Sequence, residues 1–160
     1  MNDRDYNAQK RRVGRLFNRW AKTLGLNQWA LHYECCREGE MLTDDDRAGD
    51  GAFSPVMDCE AQWQYQQAAI RVNTPMLVNM DDEDVERSVV HELCHVLVNE
   101  MRPDEPTLEQ HNHEERVVTM LTNALLWTRQ AGYNEGRRDA RKPQQDAAAH
   151  CDDVVQVTGS

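Results

Sequence analysis

What this chain lacks narrows it quickly. No apolar run approaches the roughly 20 residues that a bilayer-spanning helix needs. The opening Met1-Asn2-Asp3-Arg4-Asp5 has no apolar signal region, which sets the expectation of a cytoplasmic protein without a membrane partner. The five cysteines, Cys35, Cys36, Cys59, Cys94 and Cys151, form no Cys-x-x-Cys pair and are odd in number, which argues for reduced thiols rather than a disulfide framework. Positive charge is short: 18 Lys and Arg stand against 28 Asp and Glu, a net charge of −10. That balance speaks against wholesale nucleic-acid binding. Aromatics make up only 6% of the 160 residues, enough for one compact core with solvated ends. No internal repeat is present.

What is present centres on Val89-Val90-His91-Glu92-Leu93-Cys94-His95-Val96-Leu97-Val98, a His-Glu-x-x-His motif in an apolar run. A helix turns about 100° per residue, so two histidines four apart lie on one face and can close on a single ion. Glu92 sits beside the first histidine, where a general base can reach a metal-bound water without ligating the metal. The sequence supplies the required helix. Asp81-Asp82-Glu83-Asp84 suits a helix N-terminus, Val85, Val89, Leu93, Val96 and Leu97 recur at helical spacing, and Met101-Arg102-Pro103 ends the run. One long, half-buried helix is predicted over residues 82–101. Cys94, inside the motif, could be a nucleophile, but no free cation is at hand to lower its pKa, and a small packed side chain explains it better.

Around this helix the pattern is α+β. Residues 8–24 place Val13, Leu16, Phe17, Trp20 and Leu24 on one stripe and Arg11, Arg15, Arg19 and Lys22 on the other, an amphipathic helix whose basic side reads as a solvated face and only weakly hints at nucleic acid. Gly25 ends it. Trp29 to Cys35 alternates as a strand, with His32 on its polar side. Arg37 to Gly51, with Asp44-Asp45-Asp46, reads as a surface loop. Two more strands follow, from Ala52 to about Ala61, with Pro55 at an edge or bulge, and from Ala68 to Asn73. Arg102 to Asn112 reads as a connecting loop, and Val117, Val118, Leu121, Leu125 and Trp127 mark a second long helix ending near Ala131. The expected organisation is a domain over 8–132, with a small three-stranded twisted sheet, and a disordered tail over 133–160.

A catalytic zinc takes three protein ligands and leaves a position for water, so a third ligand must join His91 and His95. The candidates are His111, His113, Glu114 and Glu115, near the head of the second helix. Glu114 shares a face with Val117, Val118, Leu121 and Leu125 and is favoured. Glu115 is the alternative; with Asn112 as N-cap it would fall at the capping-box position.

On these residues the chain resembles the gluzincin zinc metallopeptidases: His91-Glu92-Leu93-Cys94-His95, followed after a loop by a glutamate in a second helix. The preceding helix and short sheet are similar to minimal single-domain members, the ImmA/IrrE-like and phage-encoded metallopeptidases. The resemblance spans roughly residues 10–130, and only the five-residue motif is specific. It implies a zincin-like α+β fold, Zn2+ held by His91, His95 and Glu114 or Glu115, and Glu92 as catalytic carboxylate. A histidine as last ligand, as in SprT-like proteins, is the other pattern left open.

The expected function is zinc-dependent peptide hydrolysis, with Glu92 as general base on a zinc-bound water. A protein or peptide substrate would lie along the Ala68–Asn73 strand, with Tyr133, His111 or His113 near the oxyanion. The alternative is a non-catalytic, phage-type interaction protein whose zinc site is structural or vestigial.

Overall fold

The computed structural model of the chain describes residues 1–37, 41, 55–103 and 105–151, of which 134–151 by backbone alone. The expected acidic loop and the first residues of the expected second strand, 52–54, lie almost wholly outside the described residues, as do 152–160. Two compact units divide the chain, Met1–Thr122 and Asn123–Ser160. The first holds the sheet, the motif helix and every residue of the site.

Helix α1, Asp3–Thr23, starts where the Asn2 side chain accepts from the Asp5 amide and ends before Gly25, whose φ of 72° is the left-handed turn that glycine adopts without strain. Its stripe of Val13, Phe17 and Trp20 is buried as the spacing predicts. Gly14 lets β1 come close, because a Cβ there would lie 2.5 Å from the Tyr33 hydroxyl. After a 3-10 turn at Leu26–Gln28 comes β1, Ala30–Cys36, with His32 exposed.

Strands β2, Met57–Gln62, and β3, Gln67–Asn73, form an antiparallel hairpin around a 3-10 turn at Trp63–Tyr65 and a left-handed Gln66. β1 pairs in parallel with β3, from Ala30 opposite Gln67 to Cys36 opposite Asn73, so the sheet order is β1-β3-β2. β3 is therefore the central strand. Ala68, Ile70 and Val72 face the core, while Gln67, Ala69 and Arg71 are exposed, the alternation of a sheet covered on one side. Mixed α+β with a three-stranded mixed sheet is the architecture.

One helical turn, α2, Thr74–Leu77, leads to α3, Asp82–Val98, capped by the Asp81 side chain on the Asp84 amide. The α-helix stops at Val98, and its last turn tightens into a 3-10 turn at Asn99–Met101. As expected, α3 is half-buried, with nine of its 17 residues inside and Asp82, Glu83, Asp84 and Arg87 exposed. Val85, Glu86, Val89, Val90, Glu92, Leu93, Cys94, Val96 and Val98 are all buried, while Leu97 is 41% exposed. α1 and β2 both pack on it. Arg12 ties α1 to the start of α3 through Asp82 and the Leu77 and Met80 carbonyls. Arg19, which the sequence pattern places on a solvated basic face, reaches the buried Glu86, and the Trp20 indole N–H donates to the same carboxylate at 2.6 Å.

Helix α4 spans Leu108–Cys151 and begins inside the expected connecting loop. Thr107 and Gln110 form its reciprocal cap: the Gln110 amide donates to Thr107 Oγ1 at 3.2 Å, and the Thr107 amide to Gln110 Oε1 at 2.8 Å. The cap is thus five residues before Asn112, and Glu115 has no capping role. The buried side is also rotated from the expected one. Val118 and Thr122 are buried, whereas Leu121 is 37% exposed. At about 100° per residue, a face centred on Val118 and Thr122 has Glu114 and Glu115 on its two flanks. Among the described helices, none is long and apolar enough to cross a membrane.

Candidate metal centre

α3 presents His91 and His95 one turn apart, their rings 5.0 Å between centroids and nearly perpendicular at 77°. α4 brings Glu115 across them. One Glu115 oxygen lies 3.3 Å from His91 Nε2 and the other 3.3 Å from His95 Nε2. One ligand atom from each of these three residues falls within 4.8 Å of the others, a grouping fit for a metal ion. Glu114 lies on the opposite side of the His95 ring, its Oε1 2.9 Å from Nδ1 and its Oε2 3.6 Å from Arg102 Nε.

The donor chemistry suits a divalent cation. An imidazole nitrogen without its proton and an ionised carboxylate are all acceptors; brought this close they need protons or a cation among them. Burial, followed by the charge of His95, pulls His91 below the usual imidazole range, against a smaller upward pull from Glu115. A proton is therefore a poor occupant at His91, and nitrogen and carboxylate donors are the set that zinc accepts.

Glu92 is the neighbouring buried carboxylate, 8% exposed. Among the described residues nothing hydrogen-bonds to it. Burial pushes its pKa up to about 8, with the charges of Asp58 and Glu115 adding to the effect. It lines a cleft of about 660 Å³ that also holds His91, His95 and Glu115, with Met57, Asp58 and Cys59 of β2 on one wall and Arg87 and Ser88 of α3, Arg102 and His111 around it.

The remaining sequence candidates disperse. His111 lines this cleft without joining the three-residue group. His113 is exposed beside Arg116, 3.0 Å from its guanidinium, and lines a neighbouring apolar cavity of about 420 Å³ with Val98, Met101 and Val117. Tyr133 belongs to the second unit. Cys94 is fully buried and its thiol is pushed up by burial, so it is no nucleophile. The Ala68–Asn73 strand cannot add a substrate strand, because β3 is already bonded on both sides by β1 and β2. The edge strand at the cleft is β2.

Sequence reasoning missed Asp58, Arg87 and Arg102. Asp58 is held by Arg71 through two hydrogen bonds of 2.9 and 2.7 Å, a cross-strand pair visible only once the register is known. Arg102 sits where the sequence marks a helix end and nothing more. Comparison with protein-family models, curated proteins and solved structures found no match.

Proposed function

We propose that this chain is a zinc-dependent metallopeptidase of minimal gluzincin type, with His91, His95 and Glu115 as the metal-holding residues and Glu92 as the general base. The observation that carries the reading is the convergence of the three donor groups beside a buried, unpartnered carboxylate in an open cleft. Zinc held there would supply Lewis acidity, polarising a peptide carbonyl and lowering the pKa of water to about 7. Glu92 takes the proton from the attacking water and delivers it to the departing amine. A carboxylate with no hydrogen-bond partner keeps its lone pairs free for that exchange, and a cation held alongside would favour its charged, proton-accepting form against the burial that raises its pKa. Asp58 and Glu115 raise it further.

The substrate is an extended peptide pairing with the β2 edge, where Met57 to Cys59 line the cleft and, among the described residues, no strand pairs on the side away from β3. Arg87 and Arg102 flank the same cleft. Among the described residues no fourth His, Cys, Asp or Glu joins the group, which favours a site open to substrate over a closed structural one. The test is Glu92→Gln. Zinc content near one per chain with peptide hydrolysis lost supports the reading; hydrolysis at the wild-type rate excludes Glu92 as the base.

A further inference from the structure

We infer that Glu114 is a positioning residue: held by Arg102, it takes the Nδ1–H of His95 and fixes the imidazole tautomer that leaves Nε2 free to face His91 and Glu115. The inference rests on the reading of His91, His95 and Glu115 as a metal site.

The proton can be located by elimination. An ionised carboxylate only accepts, so the 2.9 Å contact between Glu114 Oε1 and His95 Nδ1, shorter than the 3.3 Å from Nε2 to Glu115, favours the hydrogen on Nδ1. A neutral imidazole has one N–H. Spending it on Glu114 leaves a lone pair on Nε2, the nitrogen that faces Glu115 at 3.3 Å.

Geometry divides the labour between two adjacent residues. Nδ1 and Nε2 lie on opposite sides of the ring, and no single carboxylate reaches both. Glu114 and Glu115, about 100° apart on α4, take one side each. Glu114 therefore grips the nitrogen turned away from the metal group, and neither of its oxygens is free. Oε1 is on His95 and Oε2 faces Arg102 Nε at 3.6 Å.

Electrostatics gives the arrangement its permanence. The Glu114 side chain is only 10% exposed, and a carboxylate so buried needs a partner to stay charged. Arg102 supplies it from the segment just after α3, so the relay Arg102, Glu114, His95 ties the end of the motif helix to α4. A histidine ligand whose other N–H is held by a carboxylate is better oriented and more basic toward its metal, and loss of such a partner typically costs 10–100-fold in affinity.

The test uses the full chain, zinc alone as the probe in competition with a chromogenic chelator, and histidine tautomers read from long-range 1H–15N spectra of the metal-free protein above the histidine titration range. The wild type is expected to show His95 protonated at Nδ1. Glu114→Ala should lose that preference and about 10–100-fold in zinc affinity while still reaching one zinc per chain at saturation. Glu114→Gln, which keeps an acceptor and guards against a folding defect, should retain the tautomer and most of the affinity. Glu115→Ala should lose the zinc but keep the His95 tautomer. Unchanged affinity and tautomer in Glu114→Ala would overturn the inference, as would loss of zinc in Glu114→Ala with retention in Glu115→Ala. A folded wild type that binds no zinc overturns the metal reading instead. The two failures are separable, because the tautomer shift in Glu114→Ala is measured without metal.

Discussion

Glu86 and Glu92 leave the same helix, α3, and both are more than nine-tenths buried, yet they are kept in opposite ways. Glu86 is partnered: the Arg19 guanidinium and the Trp20 indole N–H both meet its Oε1, so its charge binds α1 to α3. Glu92 has no such partner among the described residues, and it faces a cleft and two further carboxylates, Asp58 and Glu115, whose charges disfavour its own. Burial of a carboxylate is therefore no sign of chemistry in itself. What sets Glu92 apart, and supports the proposed role as base, is that its desolvation is left uncompensated, which leaves its lone pairs free and its pKa raised.

The largest effect that would sharpen this contrast is on rate. Glu92→Gln should reduce peptide hydrolysis by about 10²–10⁴-fold without loss of zinc, whereas substitution of Glu86 should leave turnover per folded molecule unchanged; steady-state assays on quenched peptides compare the two. Equal losses in both would erase the distinction.

A second effect lies in the pH dependence of the metal-free protein. Glu92 is raised from 4.5 to about 8 on folding, so between those values the folded state binds the proton more tightly than the unfolded chain. Stability then falls as pH rises through that window, by an amount on the order of a few kcal/mol. Urea unfolding at pH 5 and pH 8 measures it. Glu92→Gln should flatten the fall, and added zinc should shrink it, because a nearby cation favours the charged carboxylate. A pH dependence of stability in Glu92→Gln identical to that of the wild type would contradict the uncompensated burial of Glu92, since the lowered His91 works in the opposite sense in both.

Smaller is the cost of Glu86→Ala, about 2 kcal/mol of unfolding free energy: the Trp20 N–H loses its hydrogen bond to the Glu86 carboxylate, while Arg19, half exposed, can turn to water. Zinc stoichiometry should not change. Smallest is Thr107→Ala, about 1 kcal/mol from the lost cap of α4. Chemical denaturation reads both, and a loss of zinc in the Thr107 variant larger than its loss of stability would mean that the cap also sets where Glu115 stands.

Much of the fold was legible from local pattern. The stripe of Val13, Phe17 and Trp20, the alternation of β1 with His32 outward, the carboxylate-rich start of α3 and the approximate bounds of β3 follow from periodicities that backbone geometry imposes on neighbours in sequence. The errors came where a short signal was overlooked or a partner was remote. Thr107-Leu108-Glu109-Gln110 is a capping box, and passing over it moved the start of α4 and turned its presumed inner face from Thr122 to Leu121. Arg19 looked solvated because its partner, Glu86, sits on another helix. β3 looked like an open edge because alternation reports which way side chains point and says nothing of which strands lie alongside.

For this protein the sequence alone determined that His91 and His95 share a helix face with Glu92 between them, since a spacing of four and the helical rise leave little choice. The tertiary structure alone decided which carboxylates meet those histidines and on which nitrogen. The rotation of α4 about its axis is set by the burial of Val118 and Thr122, and a turn of one residue, about 100°, is enough to exchange Glu114 for Glu115.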